Sequence, residues 1–262
     1  MRVNPVMTYR IRSAAAPAVL SLLLLAACGS GDQASGPESA PQETFQVDPA
    51  LAASVSGTVK FAGEAPKLVP INMGGDEECK ATHDGPVYPE TVVVNANGTL
   101  KNVFVVVTAG LEGKTFEVPS TPVHIDQKGC TYVPHVVGLR VGQSLEVTNS
   151  DPTLHNVHPL PHDNVEWNKS QAAGAGAIDE QFAKPEFMIP VKCNIHPWMR
   201  AYVNVVAHPF FAVTDENGAF TINGLPPGEY TLQAVHERFE AQEFQLTVAA
   251  GDNAAAEFTF SN

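Results

Sequence analysis

The chain has 262 residues, of which 44% are hydrophobic, so it can bury the core of one large domain or two small ones, and disorder throughout is excluded. Charged residues make up only 16%, which disfavours a coiled coil, and 21 prolines with 20 glycines are typical of a turn-rich β protein. The formal net charge is −13 and no Lys or Arg cluster lies beyond the N-terminal region, which argues against binding to nucleic acid.

The N-terminal region has the pattern of an export signal. Three arginines precede a 14-residue apolar run at 14–27, which is shorter than the roughly 20 residues of a membrane-spanning helix. The run ends Leu-Ala-Ala-Cys28 and resembles the bacterial lipobox, whose cysteine is lipidated and becomes the mature N-terminus. We therefore expect a signal peptide at 1–27 and a flexible tether at 28–54. The exported protein would be lipid-anchored to a bacterial membrane, facing the periplasm or the cell exterior.

Short alternating segments separated by turn residues predict an all-β fold from residue 55 onward. Asn97-Gly98 predicts a tight hairpin turn, whereas the Ala- and Gly-rich stretch 169–183 has no apolar period and predicts a mobile loop with at most one helical turn. The predicted strands are 56–62, 91–94, 100–107, 121–126, 139–149, 187–192, 201–207, 210–214, 219–222, 229–236, 243–248 and 255–260.

Two clusters of metal-binding residue types stand out. The first runs from Asn149 to His158 and contains His155-Asn-Val-His158, and the second is Cys193-Asn-Ile-His196-Pro-Trp-Met199. Together they offer a thiolate, two imidazoles and a weak thioether, the ligand set of copper sites that transfer electrons. Thiolate and thioether favour Cu(I), whereas imidazole tolerates Cu(II).

Residues 120–207 resemble the plastocyanin/amicyanin-like cupredoxins, in the His-Asn-Val-His motif and in the short Cys-x-x-His-Pro-Trp-Met loop. The resemblance implies a Greek-key β-sandwich holding type 1 copper. It further implies that His155, Cys193 and His196 are the strong ligands, that Met199 is the axial ligand, and that Asn156 joins the two ligand loops by hydrogen bonds.

The resemblance also implies an electron exit. In cupredoxins the loop histidine reaches the surface through an apolar patch where redox partners dock, and Pro197 and Trp198 would form that patch here; packing of Trp198 into the core is the alternative. Without the signal peptide, 12 basic and 28 acidic residues give a net charge of −16, which favours a redox protein partner with a basic docking surface.

Other interpretations of the histidines stay open. A zinc site could be drawn from a larger set of donors, but zinc gains nothing from Met199. We expect His158 and His162 to be surface groups or to support the ligands. The residues available to zinc are His155, His158, His162, Cys193 and His196.

A second resemblance covers 212–232, which is similar to the carboxypeptidase regulatory-like, transthyretin-like β-sandwich and brings no peptidase residues with it. Because 209–262 is short for a full sandwich, two arrangements are open. Either strands from 55–119 complete a discontinuous sandwich around the copper domain at 120–207, or 55–119 extends the copper domain and 208–262 follows it.

The sequence contains no nucleotide-binding or hydrolase motif, so we expect no enzyme. Three functions remain. The first is a membrane-tethered copper protein that shuttles single electrons. The second is a copper storage or delivery module, and the third is a surface adhesion or carbohydrate-binding β protein with a structural metal site.

The cysteine count adds one more prediction. If lipid occupies Cys28 and copper occupies Cys193, then Cys79 and Cys130 remain, and spare thiols of exported proteins usually pair. We expect a Cys79–Cys130 disulfide that pins an irregular polar loop to the copper domain without touching the metal; two buried free thiols are the alternative.

Overall fold

The predicted all-β fold class is confirmed by the computed structural model, which describes residues 43–262. No helix in this described range is long and apolar enough to cross a membrane. In chain order the elements are β1 (Ala53–Ala62), α1 (Glu77–Ala81), β2 (Phe104–Ala109), β3 (Val123–Gln127), β4 (Tyr132–Val133), β5 (Val136–Arg140), β6 (Leu145–Asn149), β7 (His155–Pro159), β8 (Lys169–Gln171), β9 (Ile178–Glu180), β10 (Glu186–Lys192), β11 (Arg200–Val206), β12 (Phe211–Val213), β13 (Ala219–Leu225), β14 (Gly228–Val235), β15 (Gln242–Val248) and β16 (Asn253–Ser261).

The first and last strands of the described chain belong to one sandwich, called here the outer sandwich. Its two sheets have the strand orders β13-β1-β16 and β12-β2-β14-β15. β1 pairs antiparallel with β13 and parallel with β16. Alternate residues of these strands point inward, so that Val59, Leu232 and Phe258 meet in one buried core.

The segment between β2 and β12 forms a second sandwich, called here the inserted sandwich. Its sheets have the orders β5-β11-β10-β7-β8 and β4-β3-β6-β9. Ile125 and Val147 from one sheet pack against Leu139, Ile189 and Val203 from the other. The predicted ligand His155 is the first residue of β7, and Cys193 directly follows β10, the strand that pairs with β7.

A third apolar cluster joins the two sandwiches. Phe104 and Val106 of β2 pack against Val136 of β5 and Val206 of β11. A Cβ atom on Gly138 of β5 would lie only 2.7 Å from the Phe104 ring, so the close approach of the two sheets requires glycine there.

Several local predictions differ from the structure. The predicted tether 28–54 overlaps the folded body, because Phe45 donates its backbone N–H to Thr115 O at 2.6 Å and β1 begins at Ala53. The predicted strand 139–149 is interrupted by a turn at Gly142, whose positive φ of 76° ends β5 before β6 begins. The signal peptide and Cys28 lie outside the described residues.

Two predicted local structures are replaced by others. The hairpin around Gly98 reduces to a single bridge between Val94 and Leu100. The stretch 169–183 contains no helical turn and instead contributes β8 and β9, which pair with β7 and β6.

Candidate metal centre

Neighbouring strands bring the two predicted ligand clusters together. His155 is the first residue of β7, and Cys193 directly follows β10, which pairs with β7. The segment 193–199 then turns tightly back into β11, because the backbone N–H of His196 donates to Cys193 Sγ at 3.4 Å and that of Met199 donates to His196 O at 3.0 Å.

Three donor atoms converge in a buried space. The ligand atoms of His155, Cys193 and His196 lie within 4.8 Å of one another. The two Nδ1 atoms are 2.9 Å apart, and Cys193 Sγ is 3.8 Å from His196 Nδ1. All three residues are at most 2% exposed, and Met199 is fully buried in the same apolar cluster as Cys193. Nitrogen and sulfur donors in a water-excluded pocket are a set that copper or zinc prefers.

The outer nitrogen of each histidine is held by a carboxylate. His155 Nε2 lies 2.8 Å from Asp151 Oδ2, and His196 Nε2 lies 2.9 Å from Asp76 Oδ2. A carboxylate accepts a hydrogen bond from an imidazole N–H, which keeps the proton of a neutral ring on Nε2. The Nδ1 atoms of the two rings then carry lone pairs that point towards the same place. Such lone pairs repel at 2.9 Å unless a proton or a metal ion lies between them. The donor set therefore fits a bound metal ion.

The electrostatics of the site favour a thiolate. Burial raises the pKa of Cys193, but hydrogen bonds from His155 and from backbone N–H groups of the loop outweigh burial and lower this pKa to about 7. Burial lowers the pKa of His155, but hydrogen bonds to Asp151 and Cys193 raise it to about 9. A proton on His155 would compensate the thiolate, and a metal cation would do so in its place.

The ligand loops are also joined directly. Asn156 Oδ1 accepts the backbone N–H of Asn194 at 2.9 Å, which is the kind of link that the sequence resemblance implied for Asn156. The neighbouring His158 is buried and bonds Glu166 and Asn194, whereas His162 is exposed and pairs with Asp163. Neither His158 nor His162 is among the residues whose donor atoms converge.

A short segment covers the site. Asp76 caps the N-terminus of α1 by accepting the backbone N–H of Cys79 at 2.8 Å. The structure contains the predicted Cys79–Cys130 disulfide, which ties this segment to the inserted sandwich, and His83 Nε2 adds a hydrogen bond to Gly129 O at 2.7 Å. The residues 76–83 are called the cap below.

The cap corrects one expectation. The edge of His196 does not reach the surface, because Asp76 covers its Nε2 atom and the residue is only 2% exposed. The disulfide lies close to both histidines: Cys79 Sγ lies within 4.8 Å of a His196 nitrogen, and Cys130 Sγ within 4.8 Å of a His155 nitrogen. Neither contact could be predicted from a cap segment that has no clear strand or helix period.

The two residues of the predicted docking patch differ in exposure. Pro197 is exposed. Trp198 is half-buried, packs on the core beside His196 and donates its indole N–H to Cys130 O at 3.1 Å. Trp198 thus forms part of the wall around the site as well as part of its surface.

Sequence reasoning missed the two carboxylates. Asp151 lies four residues before His155, in a segment whose histidines are the stronger metal-binding signal. Asp76 precedes Glu77 and Glu78, and an aspartate followed by acidic residues is a signature of a helix start. That signature predicts α1, but it cannot show that Asp76 meets His196, 120 positions later.

The carboxypeptidase regulatory-like domain model matches residues 197–261. This range contains the end of the segment 193–199 and the strands β11 to β16. No curated protein matches the chain.

Part of the chain is similar to solved structures of other proteins. A Cu-containing nitrite reductase from Thermus scotoductus SA-01 is 21% identical over 37% of this chain and a quarter (25%) of its own, with a TM-score of 0.31. A purple cupredoxin from Nitrosopumilus maritimus is 19% identical over 32% of this chain and 98% of its own, with a TM-score of 0.28. A reduced amicyanin mutant is 19% identical over 39% of this chain and 98% of its own, with a TM-score of 0.30.

Proposed function

We propose that this protein is a one-electron carrier, not an enzyme, with a type 1 copper site formed by His155, Cys193, His196 and Met199. The observation that carries the proposal is the convergence of two imidazole nitrogens and one cysteine sulfur in a buried space. Copper held there would supply the change between Cu(I) and Cu(II).

The chain's own residues would hold the ligands rigidly and exclude water. The ligand loops are joined through Asn156, and the cap closes the site from outside. Full burial of the donors favours retention of the metal, which suits a carrier better than a module for copper delivery.

The location and partners belong to the same proposal. The protein would be exported, anchored to a bacterial membrane through lipidated Cys28, and would exchange electrons with a redox protein whose basic surface complements the acidic body. Pro197 and Trp198 are the proposed docking residues nearest the metal. Partition of the native protein into detergent, and its loss in Cys28→Ser, would test the anchor.

An absorption titration with Cu(II) tests the centre. We expect an intense blue or green band from thiolate-to-copper charge transfer, because Cys193 Sγ would bond the metal. Cys193→Ser should abolish the band. His162→Ala, which alters an exposed histidine of the zinc alternative, should leave the band unchanged. A wild-type protein without the band, or a coloured Cys193→Ser protein, would refute the copper assignment.

A further inference from the structure

The cap binds one of the two histidines through a residue that also organises α1. Asp76 Oδ2 accepts a hydrogen bond from the Nε2–H group of His196, while Asp76 Oδ1 accepts one from the backbone N–H of Cys79. The side chain of Asp76 is a quarter exposed (25%), whereas that of His196 is 3% exposed. Asp76 therefore lies between the buried ring and the solvent.

The other histidine is held in a similar way from inside the sandwich. Asp151 Oδ2 accepts a hydrogen bond from the Nε2–H group of His155 and another from the backbone N–H of Cys130 at 2.7 Å. Asp151 Oδ1 accepts the N–H of Gly129 at 2.6 Å, so this carboxylate has its orientation set by three donors.

The two arrangements are connected by one covalent bond. Each half of the Cys79–Cys130 disulfide supplies the backbone N–H that orients one of the carboxylates. Both cysteines are fully buried, which denies access to an attacking thiolate and makes the bond a structural clip.

We propose that Asp76 and Asp151 are positioning residues of the copper centre. Each carboxylate directs the Nδ1 atom of one histidine at the metal, and the Cys79–Cys130 disulfide fixes the positions of both carboxylates relative to each other. This inference rests on the proposed copper function. A carboxylate that accepts the outer N–H makes an imidazole a stronger electron donor, which stabilises Cu(II) more than Cu(I). The pair therefore lowers the reduction potential.

The Asp76→Asn variant of the full chain tests this effect, with Glu78→Gln as a control that removes an exposed carboxylate from the same cap. We expect Asp76→Asn to weaken Cu(II) binding about tenfold or more, with a smaller loss for Cu(I). A tenfold difference between the two losses raises the potential by about 59 mV. Glu78→Gln should leave affinity and potential unchanged. Asp151→Asn tests the other histidine by the same measurements, after thermal unfolding of the metal-free variant shows that it folds.

A second readout uses zinc, which is diamagnetic and requires no redox activity. In zinc-loaded wild-type protein, NMR should detect a His196 Nε2 proton that exchanges slowly with water. In Asp76→Ala this proton should exchange too fast to be seen. If wild-type protein fails to bind copper, the proposed function falls while the zinc experiment still tests the positioning role. If copper binds but the Asp76 variants match wild type in affinity, potential and proton exchange, the positioning role is refuted and the copper function stands.

Discussion

At the scale of single residues, Met199 differs from the other proposed ligands. Its side chain is fully buried at the end of the tight loop, and its backbone N–H is bonded to His196 O. A thioether is a weak donor, so a copper ion held at this site would not depend on Met199 for binding. Its expected influence is on the balance between Cu(II) and Cu(I).

Met199→Leu should therefore keep the copper and the colour. The reduction potential should rise, because losing a weak donor and making the surroundings more apolar cost Cu(II) more than Cu(I). The swap nearly conserves volume, so the loss of unfolding free energy should stay below about 1.5 kcal/mol. Cyclic voltammetry and urea unfolding measure both effects. Loss of copper from this variant would show that Met199 is a strong ligand instead.

Three of the four residues predicted as ligands, His155, Cys193 and His196, have donor atoms that lie together, and each belongs to a short local motif. The partners of those residues could not be predicted in the same way. Asp76 and His196 are 120 positions apart and meet only through the tertiary fold. A disulfide joining Cys79 to Cys130 was predicted by counting cysteines, but its position against both histidines depends on packing that no count contains.

At the scale of elements, alternation predicts half-buried strands and fails for fully buried ones. β16 alternates, with Phe258 and Phe260 inward and Glu257 outward, and was predicted. All five residues of β7 are buried, so its sequence shows no alternation of apolar and polar residues. Its sequence therefore indicates a ligand motif but not a strand. α1 has five residues, which is too short for a helical period to be seen.

The packing between sheets of different sandwiches gives a prediction. Gly138→Ala should place a methyl group against the rings of Phe104 and Phe211 and should lower the free energy of unfolding by about 1–3 kcal/mol. Gly176→Ala, where an added Cβ meets nothing within 4 Å, should change it by less than about 0.5 kcal/mol. Urea unfolding compares the two. Equal stabilities would mean that the sandwiches do not pack as closely as described. The copper spectrum should be unchanged in both variants.

At the scale of the whole molecule, a buried histidine of the outer sandwich couples stability to pH. His236 is 4% exposed, and its ring stacks on Phe239 with a centroid distance of 4.8 Å. Its pKa is lowered to about 4: burial is the largest cause, Glu237 opposes it, and the charges of His135 and Arg238 add to the lowering. Its ordinary pKa is about 6.5, so the unfolded chain takes up a proton before the folded protein does.

Stability from neutral His236 should thus be present above pH 6.5 and be lost as the pH falls from there towards 4. Between pH 7 and pH 5 the expected loss is about 2 kcal/mol. Over the same interval, the free energy of unfolding of His236→Gln should fall by about 2 kcal/mol less than that of wild type. The free energy of unfolding of His162→Gln, at an exposed histidine, should fall as it does in wild type. Urea unfolding of the metal-free proteins at the two pH values measures this. An identical pH dependence in His236→Gln would rule out the coupling.

The pairing of β1 with β16 also orders the events of biosynthesis. Ser54 and Asn253 are partners in this pairing although 199 positions separate them. The strands of the inserted sandwich, in contrast, occupy the continuous stretch 123–206. A ribosome has therefore delivered every strand around the metal centre well before the outer sandwich can close. Only the arrival of β16, Asn253–Ser261, covers the free edge of β1, so a chain that lacked β16 would carry the proposed metal ligands beside an open strand prone to aggregation.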